Sequence, residues 1–275
     1  LDLSEMQFGI VLPITVGQRW KELIVKAVEK IEMLGFESIL VWDHYMLPAS
    51  NSTLEAWSLL AYLAGKTSVV KLGTCVTPIP FRPPSILAKL IATADQLSDG
   101  RVILGVGAGW HRPEFEGYSN WDENEVRFEK TVEGLEIMTK LWVEDSPSFT
   151  GKYYQMKDAV LEPKPTQKPY PPLWFGTVGR KMMKVMMKYG DGWIPTGISP
   201  ERYGELVREL RMEKKHITLA YFDRAIGIGG NGIEEAVEKF SQAGCQYFLP
   251  LLRYESPDPM SELERFSKEI VPSYR

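Results

Sequence analysis

The sequence predicts an α/β protein built as a (β/α)8 barrel, and three observations carry that reading. Short apolar runs alternate with amphipathic stretches at roughly 30-residue spacing through the first half of the chain, the rhythm of parallel strands crossed by helices. Eight strand patterns and about as many helical ones fit within 275 residues, a typical length for such a barrel. No Gly-x-Gly-x-x-Gly opens the first strand–helix turn, where an open doubly wound sheet would carry one.

The elements follow in order. Met6 to Leu12 is a short buried-strand pattern stopped by Pro13, and Trp20 to Leu34 carries Leu23, Ala27, Ile31 and Leu34 at helical spacing, with Gly35 as its C′ residue. Ser38 to Trp42 is the second strand, followed by Asp43-His44-Tyr45 and a helix over Thr53 to Ala64 with Thr53 as N-cap. Lys71 to Thr77 is the third strand, and Pro84 to Leu97 is a helix with proline in its first turn. Asp99-Gly100 turns the chain into an apolar run ending at Gly107, which reads as a strand buried on both faces, and Asn124 to Trp142 is the helix after it.

The second half is less regular. Residues 143–172 hold a hairpin-like piece, Phe149 to Tyr153, and a proline-rich connector from Pro163 to Pro172; both read as an insertion in one barrel domain covering 1–275. Strands resume at Leu173–Gly176, Gly192–Pro195, Ile217–Ile228 and Gln246–Leu251. Helices fall at Val178–Tyr189, Pro200–Glu213, Gly232–Ala243 and Pro259–Ile270.

Composition narrows the class of function. A 44% hydrophobic and 25% charged chain of net charge −4 is that of an ordinary globular enzyme, and the charge disfavours nucleic acid or an anionic membrane as partner. No apolar run approaches the ~20 residues of a membrane helix. Leu1 to Glu5 show no secretion signal, and Cys75 and Cys245, far apart, give no disulfide or zinc pattern, so a cytoplasmic setting is expected. Three histidines without a His-Glu-x-x-His motif argue against a metal site.

On a barrel, the residues just past each strand share one mouth. Here they are Pro13 and Ile14; Asp43, His44 and Tyr45; Cys75, Val76 and Thr77; Gly107, Ala108, Gly109, Trp110 and His111; Gly176 to Arg180; and Pro195-Thr196. The set is small, apolar or aromatic and suits a planar conjugated ligand better than a metal or a sugar. Gly176-Thr177-Val178-Gly179-Arg180 leads into a helix whose free N–H groups can take an anion, with Arg180, Lys181 and Lys184 adding positive charge; a tight turn with a solvated basic face is the plainer reading. Asp43 orients a proton-exchanging His44, or caps the next segment beside a polar histidine. Cys75 reads as a structural residue, Trp110 as pocket wall, and Glu114 as the first carboxylate after the fourth strand, catalytic or a loop tie.

Taken together, these motifs resemble the bacterial luciferase-like monooxygenase superfamily, in the branch that uses the deazaflavin coenzyme F420. The matching residues are Val41-Trp42-Asp43-His44, Leu72 to Pro78 with Phe81-Arg82-Pro83-Pro84, Gly100-Arg101 with Gly105 to Trp110, Tyr153-Tyr154, Pro163-Lys164-Pro165, Pro171 to Gly176, and Asp191-Gly192-Trp193. The resemblance implies a luciferase-like barrel acting as an F420-dependent oxidoreductase that moves hydride to or from a small organic substrate. Reduced FMN in a monooxygenase is the alternative cofactor, and a non-catalytic flavin-binding protein is a third reading. It further implies a non-proline cis bond between Cys75 and Val76, making a bulge that backs the ring, and a ring edge against backbone near Val76 and Gly107 to Gly109. The cofactor phosphate would lie at Gly176 to Gly179, His44 near the reactive carbon, and a homodimer is expected. Several relatives acting on alcohols or sugar phosphates carry an acid where this chain has Trp110, so the resemblance implies that this proton-transfer role is either vacant or moved to His111 or Glu114.

Overall fold

The computed structural model describes residues 5–15, 17, 20–48, 52–213 and 216–274; of Leu1 to Glu5, read above as showing no secretion signal, all but Glu5 lie outside them. Eight parallel barrel strands form in chain order. The first is Gln7–Phe8 with Ile10–Leu12, and the others are Ser38–Val41, Lys71–Thr74, Val102–Gly107, Leu173–Phe175, Gly192–Trp193, Thr218–Gly227 and Tyr247–Leu251. Neighbours in sequence are neighbours in the sheet, and the eighth strand returns to the first through Gln7–Tyr247 and Leu251–Val11 pairing. That pairing closes the barrel and excludes the open sheet. Two cores result. Val11, Leu40, Ile103, Trp174, Ala220 and Leu249 belong to a cluster that fills the barrel, while Ile10, Ile39, Leu72 and Leu104 pack outward under the helices. The alternation within single strands sends successive side chains to these two places.

The helices match the periodic stretches closely: Trp20–Met33, Ala56–Ala64, Pro84–Leu97, Asn124–Val143, Arg180–Tyr189, Pro200–Glu213 and Ile233–Gln242. Gly35 sits at φ 75°, as a C′ residue should. Three points differ. Glu55, not Thr53, caps the second helix, its carboxylate accepting the N–H groups of Trp57 (3.2 Å) and Ser58 (2.7 Å), while the Thr53 hydroxyl donates to the Tyr45 carbonyl. A short helix, Arg112–Tyr118, forms where none was expected, and the last helix ends at Arg265 and continues as a π turn, Phe266–Ile270. The 143–172 stretch does hold a hairpin, Phe149–Thr150 against Gln155–Met156.

The end of the barrel away from the strand carboxyl termini is tied by polar contacts. Arg101 donates to the Ala64, Thr67, Val70 and Ser98 carbonyls and to the Thr67 hydroxyl, satisfying acceptors at the end of the second helix. Buried Asp95 accepts from the Gln167 backbone (2.9 Å) and side chain (2.7 Å), which pins the proline-rich tract to the third helix. No helix among the described residues is long and apolar enough to cross a membrane.

Candidate active site

At the carboxyl ends of the strands lies a cavity of about 490 Å³. Trp42, His44 and Leu47 line it after the second strand, Cys75, Val76 and Pro78 after the third, and Gly107, Ala108, Gly109 and Trp110 after the fourth. Gly176, Thr177 and Met182 follow from the fifth, Ile194 and Thr196 from the sixth, and Phe222 and Arg224 from the seventh.

Val76 forms one wall of this cavity, and the surrounding glycines exist for it. A Cβ on Gly105, Gly107 or Gly176 would lie 2.9, 2.6 or 2.9 Å from a Val76 methyl, and one on Gly105 would also strike the Thr74 carbonyl. Gly109, at φ 83°, would put its Cβ 2.5 Å from the Phe115 ring. The glycines expected to let backbone approach a ligand thus make room first for Val76 and Phe115, although Gly107, Gly109 and Gly176 still face the cavity. The Cys75–Val76 bond is cis. Cys75 is a free, buried thiol whose pKa burial raises, in keeping with a structural role.

The segment carrying Val76 is held at both ends. The Gly105 N–H donates to the Thr74 hydroxyl (3.2 Å), and the Thr77 hydroxyl donates to Asp43 Oδ2 (2.8 Å). Asp43, buried completely, also receives both terminal nitrogens of Arg82, Nη1 at 2.8 Å and Nη2 at 2.7 Å, a bidentate pair in which Nη2 reaches Glu55 as well. Burial works against the Arg82 charge, but the charge and hydrogen bonds of Asp43, together with Tyr45 and Glu55, more than offset it and raise the guanidinium pKa. The guanidinium lies 4.9 Å from the Tyr45 ring centroid. Burial pushes the Tyr45 phenol up to about 12, so it stays protonated.

The expected Asp43–His44 orientation is therefore corrected. Asp43 is engaged by Arg82 and Thr77, and the group that holds the imidazole is Glu114, whose Oε2 lies 2.8 Å from His44 Nδ1. Glu114 is 1% exposed. Its Oε1 accepts the N–H groups of Tyr45 and Met46, so the carboxyl acts as an acceptor, Nδ1–H donates to it, and Nε2 is the ring nitrogen left for a ligand. The unexpected helix Arg112–Tyr118 is what delivers Glu114 to this position.

Trp110 is 61% exposed at the cavity edge, its ring edge-on to His44 with centroids 5.6 Å apart. His111 lies 6.5 Å from the His44 ring and occupies the N-cap position of the short helix without a side-chain capping bond; it does not line the cavity. Val178, Gly179 and Arg180 are exposed at the start of the next helix, beyond the lining residues Gly176 and Thr177. That helix start has no capping side chain. Lys181 is tied to Glu125 at 2.6 Å, so its charge is matched within the chain. Among the described residues no cluster of His, Cys, Asp and Glu could hold a metal ion. Sequence reading singled out neither Arg82, although its motif was noted, nor Phe222 and Arg224.

A closed barrel whose one apolar, aromatic-lined mouth is served by a paired histidine and carboxylate defines a class, and comparison with known proteins places the chain in it. Residues 6–260 match the luciferase-like monooxygenase family model, and the chain belongs to that family. It is similar to the F420-dependent glucose-6-phosphate dehydrogenase of Segniliparus rotundus, 34% identical over 206 residues that cover 70% of this chain and 61% of that protein. The FMNH(2)-dependent dimethylsulfone monooxygenase of Pseudomonas putida is 28% identical over 188 residues, covering 68% of this chain and 52% of that one. These matches thus span only about half to three fifths of the curated relatives' length. A solved F420-dependent secondary alcohol dehydrogenase shares the fold, with a TM-score of 0.81 at 22% identity over 98% of this chain and 99% of that one.

Proposed function

We propose that this protein is an oxidoreductase that uses coenzyme F420 to transfer hydride to or from a small organic substrate, with the tricyclic ring against Val76. The observation that carries the proposal is the buried Glu114 holding His44 Nδ1 in the cavity that Val76 walls. The residues present fit such a group. The cavity falls within the ~300–1,000 Å³ of small-molecule sites and offers a largely apolar lining with few polar groups. The uncapped helix start at Gly179 offers N–H donors for a phosphate. Arg180 and Lys184 stand exposed in its first turns, beside the place where further carboxylates of an F420 tail would run.

When bound, the deazaflavin supplies or accepts the hydride. The chain's own work is positional and acid–base. Val76 sets the height of the ring-bearing wall, braced from behind by Thr74, Thr77 and Asp43. His44 Nε2 gives a proton to the substrate oxygen in reduction or takes one in oxidation, and Glu114 fixes the tautomer and stabilises the imidazolium. Trp110 and Trp42 supply apolar walls beside His44. Reduced FMN is the second reading, favoured by the likeness to an FMNH(2)-dependent monooxygenase. The test is titration of the purified protein with each cofactor, followed by quenching of the cavity tryptophans. Saturable micromolar binding of F420 without binding of FMN is the expected result; the reverse overturns the choice of cofactor.

A further inference from the structure

The seventh strand runs from Thr218 to Gly227, and its register against the eighth slips between Phe222 and Gly227. In the slipped part Asp223 is turned away from the cavity and clamps the strand. Its Oδ2 accepts the Gly197 N–H (3.1 Å) and the Tyr221 hydroxyl (3.2 Å), and its Oδ1 accepts the Ala225 N–H (2.8 Å). Phe222 and Arg224, one residue to either side, share the opposite face and both line the cavity. Arg224 is exposed and, among the described residues, has no hydrogen-bond or ion-pair partner. It is the cation in an otherwise neutral lining, in contrast to Arg82 and Lys181, whose charges are matched.

Strand order separates two halves of the mouth. Val76, Gly107 and Gly176, at the carboxyl ends of the third to fifth strands, form the side assigned above to the cofactor. Arg224 and Phe222 stand on the seventh strand, and the Phe222 ring lies 6.3 Å from that of Trp42 just past the second, so the two aromatics span the remaining side. A substrate seated there meets Trp42, Phe222 and Trp110, with no carboxylate or amide side chain in the lining to bond sugar hydroxyls.

We infer that Arg224 is a specificity-determining residue, holding the anionic group of a substrate whose remaining body is apolar or aromatic. A guanidinium offers two parallel N–H donors to a carboxylate or phosphate and takes either in the same way. The inference rests on the proposed reading of the site, and its test separates the two. Calorimetry on the whole protein, with and without F420, compares 3-phenylpropionate with its neutral amide, and a phenyl phosphate with phenol. Wild type is expected to favour each anion about tenfold, the scale of one charge-assisted hydrogen bond. Arg224→Gln loses that preference, Arg224→Lys keeps most of it, and both bind F420 as wild type does. Equal affinity of wild type for acid and amide, or an unchanged preference in Arg224→Gln, overturns the inference. So does a loss confined to cofactor affinity in Arg224→Gln, which would assign the guanidinium to the cofactor tail. Failure of wild type to bind F420, with the anion preference intact, instead contradicts only the cofactor assignment.

Discussion

Replacing His44 by Ala is expected to lower the rate of substrate-dependent cofactor oxidation or reduction by about 10²–10⁴-fold, the usual worth of a positioned acid–base group. Cofactor affinity is expected to stay within about twofold of wild type, because the phosphate end of the proposed site lies at the helix start near Gly179 and the ring on Val76, away from the imidazole's proton-transfer role. The geometry explains both halves. Glu114 is buried and its Oε1 is occupied by two backbone N–H groups, so Oε2 is committed to His44 Nδ1 and leaves Nε2 for chemistry. Glu114→Gln serves as the companion. Its amide oxygen stays with the backbone N–H groups, its NH₂ then faces Nδ1, and the proton moves to Nε2, so the rate falls with the fold intact. Stopped-flow single turnover with a carbonyl or alcohol that wild type accepts measures both variants. An unchanged rate in His44→Ala removes this residue from the mechanism.

The second large effect is on stability. Arg82→Ala leaves the Asp43 carboxylate fully buried with only the Thr77 hydroxyl beside it, and is expected to cost about 3–5 kcal/mol. That is a large share of the ~5–15 kcal/mol that holds a typical domain together. The loss also frees the end of the segment carrying Val76, so cofactor affinity falls with stability. Urea denaturation followed by circular dichroism measures the first and fluorescence titration the second. The double variant Arg82→Met with Asp43→Leu, which removes both charges, is expected to regain much of the loss. A cost below about 1 kcal/mol for Arg82→Ala would show that the pair does not brace this wall.

Local signals explain what was legible in the sequence. Apolar runs such as Ile39-Leu40-Val41 and helical spacing such as Ala27, Ile31 report burial on one or two faces, and burial is what strands and helices here achieve. The carboxyl-end residues followed at once, since a barrel gathers them whatever their identity. Pairings across the fold were not legible. Arg82 lies 39 residues from Asp43 and Glu114 lies 70 from His44, and nothing local tells a carboxylate which cation or imidazole it will meet. The helix Arg112–Tyr118 is short and holds Pro113 and Gly117, so its period is too brief to read. Glu55 displaced Thr53 as cap because the helix starts two residues later than its apolar pattern suggested. Phe222 and Arg224 were missed because a long strand pattern gives no hint of the slipped register that turns its end into the cavity.

A crystal structure with F420 bound tests the central claim most directly. The expected result is a tricyclic ring lying on Val76, with His44 Nε2 toward the substrate side and the phosphate on the N–H groups that follow Gly179. A ring seated away from Val76, or a phosphate drawn to Arg224 instead, would contradict it.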